Sequence, residues 1–406
     1  MSSGRRLYHF PFIPAVILAI TLSGCSGPSG PSLTVAMSLS EQEWTVMRRD
    51  IFPAFEKDRN IKVNGYQIEA DQLTGSLEAL QKGGRSKIDL FAQDNMDLAQ
   101  MVTKGLVEDL SSCASQLPSQ ILPALIENCK FGDRMMFMPF RPNVQIVYYN
   151  SREFDRLGLA VPRTWDELLD TAKKLKAAQG QGKVLLQAFG GNPTATQIHE
   201  FVLQAGGDPY AFDDEGTIKA FTFLAQLWPY CSEDSRRAKW DTANESLATG
   251  QSFIGQNWTF GINVLVKDYQ LPYIKTYSGW KGPAGERHVI GGDVLGIPKD
   301  SPHKSLALEF IAYLQSKPVQ ETLVAKLGWP SIRTDAYAAV EDWQKPYYES
   351  VQAALRQGEF RKNVAWWPAY SRYITDAFRE IVMEGAPVEP TLKKYKALLE
   401  EEKKRY

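Results

Sequence analysis

Cysteine and histidine are scarce in this chain of 406 residues, four of each, and charge is nearly absent in sum, with a net of −1. The histidines, His9, His199, His288 and His303, are scattered, and no two cysteines form a CxxC pair, so no zinc cluster or other metal site is expected. A near-neutral balance removes the electrostatic reason for a nucleic-acid partner. Catalytic signatures are missing too: there is no GxSxG, no HExxH, no P-loop, and no GxGxxG after a strand. The 47 acidic residues make carboxylate pairs plentiful, so counting them neither argues for nor excludes a glycosidase. Beyond the N-terminal region, no segment approaches the roughly 18 apolar residues that span a bilayer.

The chain does begin with the features of a secretory signal. Arg5 and Arg6 supply a positive end, Pro11 to Leu22 an apolar core, and Ser23 and Gly24 the small residues before Cys25. Leu22-Ser23-Gly24-Cys25 resembles the bacterial lipobox, whose cysteine is acylated and becomes the first residue of the mature chain. Residues 1–24 are therefore expected to be a signal peptide and Cys25 the lipidation site. An ordinary cleaved signal and a short membrane anchor are the competing readings. Residues 25–32 read as a Gly/Ser/Pro tether that favours neither helix nor strand. The remaining body is too large for one compact core, which points to two lobes. In an oxidising compartment Cys113 and Cys129 are candidates for a local disulfide, with Cys231 left over.

Apolar runs of strand length at 33–37, 61–69 and 88–92 alternate with helical periodicity at 41–57, 73–81 and 96–103. This α/β alternation predicts a mostly parallel sheet flanked by helices. Ligands bind such sheets beyond the carboxyl ends of the strands, which singles out Ser38 to Trp44 and Gln93 to Asn95. A new strand is expected at 144–149. Thr164 and Glu167 then carry the spacing of a capping box at the start of a helix. The C-terminal third reads as mostly helical.

Several aromatic residues stand beside loops and polar groups rather than inside periodic helices. Trp258 follows Gln256-Asn257, Trp280 lies in a glycine-rich loop, Trp329 lies in Leu327-Gly-Trp-Pro330, and Trp366-Trp367 precede Pro368. An indole offers a flat apolar face to the C–H side of a pyranose, a contact worth roughly 2 kcal/mol by area. Asp, Glu, Asn and Arg supply planar hydrogen-bonding groups for sugar hydroxyls. Core packing is the competing reading for every one of these tryptophans, Trp44 included.

Three stretches carry a resemblance to family 1 extracellular solute-binding proteins: "IDLFAQDNMDLAQMVTKGLVEDLS" (88–111), "MMFMPFRPNVQIVYYNSREFDRLGLAVPRTWDELLDTAKKL" (135–175) and "GGDVLGIPKDSPHKSLALEFIAYLQSKPVQETLVAKLGWPSIRTDAY" (291–337). The resemblance implies two α/β lobes joined by a hinge, residues 33–141 with 273–312 and residues 142–272 with 313–406, and a ligand cleft between them. It implies that Glu43 and Asp94 are acidic sugar contacts, Trp258 a stacking residue, and Arg333 a contact to ligand hydroxyls. Trp44, Asn95, Arg141, Trp280, Asp293, Trp329, Trp366 and Trp367 complete the candidate set. Two departures from the family pattern stand out. Asp293 follows Gly291-Gly292 where an aromatic is usual, and Ser331-Ile332 precede Arg333. Both hint at a smaller or more polar ligand.

The expectation from the resemblance is a monomeric receptor without catalysis or cofactor. It is held to the extracytoplasmic face of the cell membrane by its lipid and hands a di- or oligosaccharide or a glucosylated polyol to an ABC permease. A secreted glycoside hydrolase, or a receptor of the same fold for a polyamine or other polar solute, is the alternative.

Overall fold

A computed structural model describes residues 31–406, apart from 84–86, 97, 300 and 339. The signal segment, Cys25 and nearly all of the tether lie outside the described residues. The first lobe starts with three parallel strands, β1 (Ser32–Met37), β2 (Lys62–Gln67) and β3 (Leu90–Asp94), with β1 between the other two. Leu33, Val35, Ala36 and Met37 are fully buried, as a central parallel strand covered on both faces requires. The helix α1 (Glu41–Val46) follows β1 directly. Ser40 and Glu43 close a reciprocal capping box at its start, Glu43 N donating to Ser40 Oγ at 3.3 Å and Ser40 N donating to Glu43 Oε2 at 2.8 Å.

Six more strands complete the main sheet: β4 (Met138–Asn150), β5 (Val184–Leu185), β6 (Ile254–Trp258), β7 (Ile274–Tyr277), β8 (His288–Gly296) and β9 (Gly358–Phe360). The spatial order among the described residues is β2-β1-β3-β8-β4-β6-β5, with β9 added to β8 and β7 to β4. The expected α/β architecture is present, with one modification. The outer pairings β1–β2, β1–β3 and β5–β6 are parallel, whereas β8 runs antiparallel to both β3 and β4. β4 and β8 cross between the lobes in opposite directions and so knit both halves into one sheet. β4 begins earlier than the sequence suggests, because Pro139 and Pro142 argue against a strand. Pro139 is tolerated beside a register shift at Asp293/Val294 of the partner, the kind of irregularity that accommodates proline.

Three apolar clusters form the cores. The first draws on residues from Leu33 to Phe140 and again from Val294 to Trp329. The second runs from Val147 to Ile254, takes in Tyr277 and Trp280, and resumes from Trp367 to Leu399. The third draws on Val144, Ile146 and Tyr148 of β4, Leu185 of β5, Ile274 of β7 and Ile290 of β8, together with Val324 and Ile332. Tyr277 and Trp280 pack in the second lobe, and Val319, Leu323, Leu327 and Trp329 pack in the first. The crossings fall on β4, on β8 and between Trp329 and Ile332. The sequence concealed the second of these, because Gly291-Gly292-Asp293 reads as a loop and not as the middle of a strand.

The helix over Trp165–Gln179 starts at Thr164, whose Oγ1 accepts from Glu167 N at 3.2 Å. The reciprocal half differs from expectation: the Glu167 carboxylate accepts from Arg163 N, not from the cap residue itself. Cys113, Cys129 and Cys231 are free thiols, so the expected Cys113–Cys129 bridge is not formed here. Cys129 is fully buried, and burial pushes its thiol far above the ordinary range, while the Cys113 sulfur lies 3.7 Å from Ser112 Oγ. No helix among the described residues is long and apolar enough to cross a membrane.

Candidate ligand site

The site forms around a strip of bare backbone. On one edge of β8, β9 pairs with His288–Ile290 and β3 pairs with Asp293–Gly296, leaving Gly291 and Gly292 between two abutting strand ends. Asn95, just past β3, reaches in with its backbone N–H to Gly292 O at 3.1 Å. Both glycines are required. Gly292 has φ +107°, and a Cβ there would meet the Arg141 carbonyl oxygen. A Cβ on Gly291 would lie 2.8 Å from the Trp258 ring and 3.5 Å from the Arg361 guanidinium. Trp258 closes β6 from the second lobe, so Trp258 and Asn95 approach neighbouring residues of one strip from opposite lobes.

An ionic cluster lies at the first-lobe end of the strip. Register places Asp293 of β8 opposite both Asp94 of β3 and Arg141 of β4. Arg141 pairs with Asp293 Oδ2 at 2.5 Å and with Glu43 Oε1 at 3.2 Å. Trp329 Nε1 donates to the same Glu43 oxygen at 2.8 Å, and the Arg141 guanidinium lies 4.5 Å from the Trp329 ring centre. Phe140 meets Trp329 edge to face at 5.7 Å. Burial works against the charge on Arg141, yet Asp293, Glu43 and Asp94 together hold it above the ordinary arginine value. For Asp293, burial and the nearby Glu43 raise the carboxyl above its usual range against the pull of Arg141. Glu43 therefore serves its helix cap with one oxygen and the cluster with the other.

Facing this cluster across the strip stands a residue the sequence reading missed. Arg361 follows β9, is 5% exposed, and donates through Nη1 to Thr196 Oγ1 at 2.6 Å and through Nη2 to Asn95 Oδ1 at 3.3 Å. Thr196 belongs to α2 (Gly191–Gln204) in the second lobe, so Arg361 links the two lobes. Trp367 backs it, with the guanidinium 5.2 Å from its ring and its Nε1 donating to Asn192 Oδ1 at 3.1 Å. Asp94 lies near enough to favour the charge on both Arg361 and Arg141, and its Oδ1 also accepts from Met96 N at 3.0 Å. A lone arginine in a short stretch between helical segments gives no sequence signal for such a position.

Of the sequence candidates, the fold thus brings together Glu43, Asp94, Asn95, Arg141, Trp258, Asp293, Trp329 and Trp367. The others have structural roles. Trp44 is 1% exposed in the first core, its ring under Gly65 and its Nε1 bonded to Gln67 Oε1. Trp280 is fully buried in the second core, 6.1 Å from the Phe201 ring. Arg333 pairs with Asp335 through Nε at 2.8 Å and Nη2 at 3.0 Å, and also donates to Gln120 and to Gln315 O. It braces the third crossing between lobes. Trp366 packs on Tyr210 with Lys403 over its ring.

Residues 50–349 match the family described as bacterial extracellular solute-binding protein, and the chain belongs to that family. An uncharacterized ABC transporter extracellular-binding protein of Pyrococcus horikoshii, PH1039, is 22% identical over 360 residues, spanning 80% of this chain and 83% of its own. Among solved structures, maltose-bound MalE3 of T. maritima superposes with a TM-score of 0.78 at 20% identity, covering 91% of this chain and 99% of that one. UgpB of Mycobacterium tuberculosis, in complex with glycerophosphocholine, gives 0.77 at 18% identity over 91% of this chain and 98% of its own. These structural likenesses establish the two-lobe fold that the sequence motifs imply.

Proposed function

We propose that this chain is the lipid-anchored receptor of an ABC importer that captures a sugar between its lobes and delivers it to a membrane permease. The observation that carries this reading is the meeting of an indole wall and fixed planar polar groups on one glycine strip. Trp258 supplies the apolar face, and Asp94, Asn95 and the Glu43–Arg141–Asp293 cluster supply donors and acceptors held by their neighbours. The ligand would be a di- or oligosaccharide or a glucosylated polyol. Contact with both lobes would favour the closed form, moving about the crossings on β4 and β8. Acylation of Cys25 would hold the body at the extracytoplasmic membrane face. Binding without turnover is the expected activity, in keeping with relatives named as ABC transporter binding proteins.

A thermal-shift screen over sugars, polyols, polyamines and amino acids tests this reading, because a ligand bound only by the native state raises the melting temperature. A rise with sugars or polyols is expected. A rise with polyamines alone contradicts it, since the carboxylates would then be reading cations.

A further inference from the structure

The Arg361 guanidinium is the unsettled charge of the site. A guanidinium carries five N–H donors and no acceptor, and taking it out of water is costly unless a carboxylate or comparable group answers it. Arg333 and Arg141 meet that condition through direct ion pairs. Arg361 is as buried as Arg333, yet its bonded partners are the neutral oxygens of Thr196 and Asn95, and no ion pair of Arg361 is found among the described residues. Its Nε is buried without a partner. So is Asn95 Nδ2, on the side chain whose oxygen already faces Arg361. Exchanging the Asn95 oxygen and nitrogen would not help, because it would turn N–H toward N–H. Burial lowers the Arg361 pKa, with Asp94 a partial and indirect offset.

Two buried donors on neighbouring side chains at the glycine strip therefore lack an acceptor. A surface groove lined by Glu127, Asn128, Lys130 and Phe131 on one side and by Gly358–Asn363 on the other includes Arg361 in its wall. Sugar hydroxyls both give and accept hydrogen bonds. A phosphate or carboxylate group only accepts when ionised, and it brings the charge that Arg361 lacks.

We propose that Arg361, with Asn95, forms an anion subsite, so that the ligand is a sugar or polyol bearing one phosphate or carboxylate group. This inference rests on the proposed function, since it adds an acidic substituent to the hydroxylated ligand of the same cleft. Trp258 would lie against the carbon skeleton, and Asp94 and the Arg141 cluster would meet the hydroxyls. Anion binding would also tie the lobes together, because the subsite is built from both.

Calorimetric titration of the intact protein tests it with matched probes: glucose, glucose 6-phosphate and glucuronate, glycerol and glycerol 3-phosphate, and inorganic phosphate. The expected result is at least about tenfold tighter binding of an anionic probe than of its neutral counterpart. The phosphate and carboxylate arms show which group is preferred. Arg361→Gln is expected to abolish the preference and Arg361→Lys to retain part of it. Asn95→Ala, which leaves the guanidinium in place, should weaken anionic probes more than neutral ones, and melting curves check that each variant is folded. Neutral probes binding as tightly as anionic ones, or a preference that survives Arg361→Gln, overturns the anion subsite while leaving the sugar receptor intact. Inorganic phosphate binding as tightly as any phosphorylated probe supports the subsite and contradicts the hydroxylated ligand. Absence of binding by every probe contradicts the anion subsite, and the sugar receptor itself then stands or falls on the thermal-shift screen.

Discussion

At the scale of single residues, Arg141 balances two carboxylates that would otherwise repel each other. Glu43 and Asp293 both contact it, at 3.2 and 2.5 Å, and Trp329 covers it. Arg141→Ala would leave a pair of largely buried carboxylates with no cation between them. Breaking a buried pair on one side is the costly direction, so the variant is expected to lose roughly 3 kcal/mol of unfolding free energy. Denaturant titration checks this, and an unchanged midpoint would show that the cluster contributes nothing to stability. Much of the candidate site was legible at this scale. Acids past strand ends and tryptophans beside polar loops led to Glu43, Asp94, Trp258 and Trp329. The same signals also led to Trp44, just past a strand, and Trp280, in a glycine-rich loop, because an indole in either setting looks alike in sequence whether it lines a cleft or packs in a core. Arg361 was illegible. Its meaning depends on β9 docking beside β8, a contact between distant parts of the chain.

At the scale of elements, β8 carries the account. Its middle is the glycine strip, its far end pairs with the first lobe, and its first residue, His288, anchors it in the second lobe. The buried His288 ring sits between Glu286, with Nε2 at 3.0 Å from Oε1, and Glu200 of α2, with Nδ1 at 3.6 Å from Oε1. Glu200 also accepts from Val289 N of β8 at 3.0 Å. Burial disfavours the imidazolium, but the two carboxylates outweigh it and raise the pKa from 6.5 to about 9. A pKa raised on folding stabilises the folded state while the group is protonated in both states, and the gain is lost as pH climbs through the folded value. The melting temperature of the ligand-free protein is therefore expected to fall by roughly 2 °C or more between pH 6.5 and pH 9. His288→Gln should flatten that slope, and an equal slope in the variant would remove His288 as its cause. Periodicity predicted most helices and the outer parallel strands to within a few residues. It missed β7, β8 and β9, whose glycines and short lengths carry no strand pattern, and with them the antiparallel crossings.

At the scale of the whole molecule, two α/β lobes share one sheet, and the candidate ligand groups converge where β3 and β9 end against β8 and the Trp258 ring of β6 reaches Gly291. This arrangement explains why no compact motif marks the site. In the proposed cleft each lobe would offer half of a surface, Asp94 and Asn95 from one and Trp258 and Arg361 from the other. Family motifs foretold two lobes, while which segment packs in which lobe follows from side-chain contacts that sequence motifs do not display.

The most direct test of the two-sided cleft is calorimetric affinity for a ligand found by the screen, measured on Asp94→Asn and Trp258→Leu. These conservative changes alter one wall each, from opposite lobes. Both variants are expected to bind at least about tenfold more weakly than the parent, with folded melting profiles. Parent-like affinity in either folded variant would contradict a ligand held between the lobes.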